Sequence, residues 1–114
     1  MNSVNHTKTL NISQEKADYI RTLLSLTGNE IYDLYGLKRD ETITETVDFG
    51  DGIEMDIKLV ICEDEESPYT EAVLFKNGSE IAHTDVEYDF EGKWVLEYET
   101  DKQTHMYTAV VAVA

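Results

Sequence analysis

The sequence predicts an α+β fold: an N-terminal helix and a short second helix packed on a meandering antiparallel sheet of about five to seven strands. Three observations carry that expectation. Ala17, Ile20, Leu23 and Leu24 recur at helical spacing early in the chain. From residue 43 onward the apolar residues fall instead on alternate positions, the period of a half-buried strand. Tight-turn signals, Gly50-Asp51-Gly52 and Asn77-Gly78, separate those alternating runs. Helices first and short strands afterwards is the order of an α+β domain.

Taken in order, residues 7–12 read as a short first strand or an extended arm. Ser13 is a good N-cap with Glu15 in the first turn, so a helix is expected over 14–27, with Gly28 as its stop. Asn29 then caps a second helix in which Ile31, Leu34 and Tyr35 share a face, and Gly36 ends it. A polar connection over 37–40 leads into the sheet. Val47 and Phe49 continue an apolar face from Ile43, interrupted by Glu45. After the glycine turn, Ile53, Met55, Ile57, Leu59 and Ile61 alternate with Glu54, Asp56 and Lys58, which gives one apolar and one acidic face. An acidic loop with the only proline follows, then strands over 70–76 and 79–85 around Asn77-Gly78. Residues 87–92 read as an irregular link. Trp94, Leu96 and Tyr98 alternate with Val95, Glu97 and Glu99, and the last strand carries His105, Tyr107, Ala109, Val111 and Val113 on one face.

The chain has 114 residues, which fits one domain over 1–114 with a single modest core. Its 41% hydrophobic residues argue against wholesale disorder. No apolar run approaches the roughly 20 residues of a membrane helix, so no membrane association is expected. The start lacks the basic and apolar regions of a signal peptide, and the lone Cys62 suits a reducing compartment; a cytoplasmic protein is expected.

Charge is the strongest global signal, at −15. Residues 1–40, mainly helical, carry five acids and five bases and are neutral. Residues 41–114, the acidic antiparallel sheet, carry 19 acids against four bases and hold the whole imbalance. A charge of magnitude roughly 2–8 normally suffices for solubility, so this excess points to function. It repels nucleic acid, whose phosphates need a basic surface, and attracts basic proteins.

Candidate chemistry is thin. Asp48-Phe49-Gly50 matches a kinase triplet in letters, but the chain lacks the other kinase motifs and reads there as strand end and turn. Glu63, Asp64, Glu65 and Glu66 lack the alternation and glycine of a calcium loop, so no metal or other cofactor is expected. His6, His83 and His105 are scattered, and with Cys62 form no catalytic spacing; the expectation is a non-enzyme. Trp94, Tyr98, Tyr107 and Phe75 could stack a sugar or base, though alternate aromatics on strands are more often core. What remains is the acidic face. Alternate strand residues lie roughly 6.6 Å apart, near the spacing of successive phosphates along one strand, so rows such as Glu54/Asp56, Glu97/Glu99 and Glu87/Asp89/Glu91 could imitate a nucleic-acid backbone.

Two stretches, Phe49-Gly-Asp-Gly-Ile-Glu-Met-Asp-Ile-Lys58 and Tyr69-Thr-Glu-Ala-Val-Leu-Phe-Lys-Asn-Gly-Ser-Glu-Ile81, resemble small acidic proteins carried on mobile elements of Gram-positive bacteria. The pattern resumes at Glu91-Gly-Lys-Trp and Tyr107-Thr-Ala-Val-Val. In size, acidity and apparent setting the chain is similar to anti-CRISPR proteins that block type II effectors. The resemblance brings no catalytic motif. It implies a non-enzymatic inhibitor of a basic nucleic-acid-binding protein, namely a Cas9-type nuclease. The expected contacts are Glu54, Asp56, Glu63, Asp64, Glu65, Glu66, Glu97 and Glu99. The alternatives are an antitoxin or immunity protein for a basic toxin and a small ligand-binding sheet.

Overall fold

The computed structural model describes residues 2–37, 41–61, 67–89, 92–100 and 102–113. It is an α+β fold, as the periodicities indicate, but the strands divide between two sheets. β1 (Asn2–Ile12), β8 (Gln103–Val113), β7 (Lys93–Glu99) and β6 (Tyr88–Asp89) form sheet A in the order β1-β8-β7-β6. β2 (Thr42–Gly50), β3 (Ile53–Val60), β4 (Tyr69–Lys76) and β5 (Ser79–Val86) form sheet B in sequence order, an antiparallel meander. In sheet A the first strand lies parallel to the last over eleven positions, from Asn2 opposite Gln103 to Ile12 opposite Val113.

The sheets meet through their apolar faces. Val47, Met55, Ile57, Ala72 and Leu74 from sheet B pack in one cluster with Trp94, Leu96, Tyr107, Ala109 and Val111 from sheet A. Phe49 of β2 meets Tyr107 of β8 edge to face, with ring centroids 5.2 Å apart. Each sheet is wet on its other side, where the alternating polar residues point.

Two helices close one end. α1 (Gln14–Leu24) starts where the Ser13 hydroxyl accepts the Lys16 N–H at 3.1 Å, and it buries Ala17, Ile20 and Leu23. Ser25 closes it, three residues before the stop expected at Gly28. Gly28 instead opens α2 (Gly28–Tyr35), and the cap is Thr27 rather than Asn29. Thr27 Oγ1 accepts the Glu30 N–H at 3.2 Å while Glu30 Oε1 accepts the Thr27 N–H at 3.1 Å, a reciprocal box that fixes this start. Ile31 is buried against Leu23, Leu59 and Ile61, whereas Leu34 and Tyr35, expected on the same face, are exposed. Neither helix is long and apolar enough to cross a membrane.

Both expected turns are present. Gly50, Asp51 and Gly52 all have positive φ, as do Asn77 and Gly78. The two turns touch, with the Asn77 N–H donating to the Gly52 carbonyl at 2.8 Å.

Candidate interaction face

Strand alternation sends Asp48 of β2, Glu54 and Asp56 of β3, and Glu71 of β4 to the solvent side of sheet B. The ladder then sets them side by side. Asp48 stands opposite Glu54, Asp56 opposite Val73, Lys58 opposite Glu71, and Glu71 opposite Asp85 of β5. Beyond an irregularity after Leu74, Glu80 stands opposite Phe75. Neighbouring strands lie about 4.8 Å apart and alternate residues about 6.6 Å apart, so these six acids make a close two-dimensional array.

Side-chain contacts confirm the shared face. The Thr46 hydroxyl donates to Asp56 Oδ1 at 2.8 Å across β2 and β3, and His83 Nε2 lies 3.4 Å from Glu71 Oε2 across β4 and β5. Lys58 and His83 are the basic side chains of the array. Among the described residues neither Asp48 nor Glu54 has an ion-pair partner. Asp48 instead accepts the Gly50 N–H at 2.8 Å, which holds its carboxylate at the turn. The centre of the face is apolar: Val73 is only 4% exposed although it points away from the core, and Phe75 is half-buried beside it.

The expected contact residues do not form one surface. Glu54 and Asp56 lie on this face, whereas Glu97 and Glu99 are exposed on the outer side of β7 in sheet A. The sheets share one core, so their outer faces point in opposite directions. Glu63, Asp64, Glu65, Glu66 and Cys62 lie outside the described residues, as do Glu91 and the 38–40 connection. Asp48, Glu71, Glu80 and Asp85 were not singled out from the sequence as contacts. Alternation with Val47 and Phe49 sets Asp48 outward, but Glu71, Glu80 and Asp85 lie in runs without clean alternation, and only the pairing of β2 through β5 gathers the four.

The other candidates separate in space. Trp94 is 2% exposed and tilted against Tyr88 with ring centroids 4.9 Å apart, a core position that counts against a stacking platform. Tyr107 is buried, with its ring stacked on His6 at 4.4 Å and on Tyr98 at 5.9 Å. Burial, and a hydrogen bond to Tyr98, push the Tyr107 phenol up to about 12. His83 sits on the opposite sheet from His6 and His105. Among the described residues no three His, Cys, Asp or Glu side chains are grouped to hold a metal ion. Comparison with family models, curated proteins and solved structures finds no match to this chain.

Proposed function

We propose that this chain is a non-enzymatic inhibitor that lays the outer face of sheet B into the phosphate-binding groove of a basic nucleic-acid-binding protein. One observation carries the reading: Asp48 and Glu54 stand directly opposite each other at the edge of an array that also holds Asp56, Glu71, Glu80 and Asp85. Like charges directly opposite on adjacent strands destabilise a sheet, and a face selected only for solubility alternates the two signs. The arrangement is favourable only when positive charge arrives from outside. Phe75 at the centre adds apolar surface that a partner's aliphatic lysine or arginine stems can cover.

A Cas9-type nuclease is the partner class we assign, on the resemblance to proteins of mobile elements. Such an enzyme holds its heteroduplex in a positively charged channel and reads a short flanking motif with arginines. Glu54 and Asp56 remain contacts in this reading, joined by Asp48, Glu71 and Asp85. Glu97 and Glu99 face away. Long-range attraction steers the encounter, and salt weakens it.

The test is retention of a guide-loaded type II effector on the immobilised chain, washed at low and at high salt, followed by a DNA-cleavage assay. Retention that fades with salt, together with loss of cleavage, supports the reading. Failure to retain the effector at low salt contradicts the assigned partner, and the basic product of a neighbouring gene is then the next bait.

A further inference from the structure

The two sheets have four edges, and three of them are guarded against pairing with another chain. Among the described residues β6 covers only Lys93 and Trp94 of β7, and the rest of that edge carries Glu97 and Glu99. β2 has a register break between Asp48 and Gly50 and carries Glu45 and Asp48. β5 has a break opposite Leu74 and Phe75 and carries Glu80 and Asp85. Short length, bulges and charge are the usual devices that blunt an edge. The fourth edge, β1, has none of them apart from Lys8. It runs eleven residues in unbroken register with β8, contains no proline, and presents Ser3, Asn5, Thr7, Lys8, Thr9 and Asn11 to solvent. It is also the one edge without an acid, since the first acid in the sequence is Glu15.

We infer that β1 is a self-association edge, pairing antiparallel with β1 of a second copy about a two-fold axis at Thr7. Two chains of −15 repel each other over most of their surfaces, and β1 is where they can approach without opposing acids. Centring on Thr7 places it opposite its own copy, Asn5 opposite Thr9, Ser3 opposite Asn11, and Val4 opposite Leu10. Hydroxyl and amide residues thus meet on the outer face, while on the inner Val4 meets Leu10 and Lys8 meets His6. Centring one residue later sets two Lys8 side chains against each other. Paired residues keep the same parity, so the two sheets A become one continuous sheet and both sheet B faces point to the same side.

A single strand pair buries less than the roughly 1,200 Å² of a stable interface, so the dimer is concentration-dependent. Its salt dependence has a sign opposite to that of a basic partner: screening relieves the repulsion between copies, and dimerisation tightens as salt rises.

Sedimentation equilibrium over the micromolar range, at low and high salt, tests this. The expected result is reversible conversion to twice the 13.0 kDa chain mass, favoured by salt. Thr7→Lys and Thr7→Asp each weaken the dimer about tenfold or more by opposing like charges. An equimolar mixture of the two variants restores it. Thr44→Lys, which adds the same charge on sheet B, leaves it intact, and far-UV circular dichroism checks each fold. A chain that stays monomeric at high salt overturns the inference. So does a dimer indifferent to both Thr7 substitutions, or variants whose mixture fails to recover.

Discussion

Glu45 is the residue that breaks the apolar alternation of β2, and the fold gives the break a purpose. It points inward beside Ile43 and Ile57, and Lys16 of α1 reaches it as an ion pair. Its carboxylate is mostly covered, with 15% side-chain exposure, while the lysine remains 45% exposed. The pair ties the helix to the sheet. Removing one partner from a covered pair leaves a charge unpaired, whereas replacing both with apolar groups is often neutral. Lys16→Met is therefore expected to lower the urea midpoint, and Lys16→Met with Glu45→Leu to recover most of the loss. Equal losses in the single and double variants would contradict this account. Tyr107 makes a second residue-scale prediction. Its folded pKa of about 12 lies above the ordinary phenol value near 10, so the associated stability is complete below pH ~10 and is lost as pH rises toward 12. Alkaline unfolding followed by phenolate absorbance should begin in that window, and Tyr107→Phe should remove that share of the pH dependence.

Element boundaries were legible where a local rule fixed them and not where pairing did. The turns at Gly50-Asp51-Gly52 and Asn77-Gly78 were readable because positive φ demands glycine or asparagine. The second helix start carries its signal in the capping-box spacing of Thr27 and Glu30, which overrides the stop that Gly28 suggests. Thr27→Ala is expected to cost about 1 kcal/mol in chemical denaturation, as lost N-caps do. A change indistinguishable from zero would mean that packing of Ile31 alone holds α2. The first strand was legible only over its last residues. Asn2–Ile12 has little apolar alternation, and it is a strand because β8 supplies a partner along its length. The same limit hid the composition of the acidic face. A two-residue period assigns each acid a side of its strand, but Glu54 and Glu97 look alike until their strands are known to lie in different sheets.

At the scale of the whole molecule, the chain begins and ends in the same parallel pair, β1 with β8. Such long-range pairing folds slowly, in the millisecond-to-second range of β-rich domains. Charge acts at this scale too. With Asp48 opposite Glu54 in sheet B, Glu54→Gln is expected to raise stability by roughly 0.5 kcal/mol at low salt, with the gain shrinking as salt rises. A loss of stability would mean that the carboxylate supports the fold. The division of the acids between two opposed faces also allows the central claim to be tested by location. The most direct measurement is inhibition of a guide-loaded type II nuclease by two charge-neutralised variants of equal fold stability. One carries Asp48→Asn, Glu54→Gln, Asp56→Asn and Glu71→Gln on sheet B, and the other carries Glu97→Gln and Glu99→Gln on sheet A. The account predicts that the sheet B variant loses inhibition and the sheet A variant keeps it. Full inhibition by the sheet B variant would contradict the account.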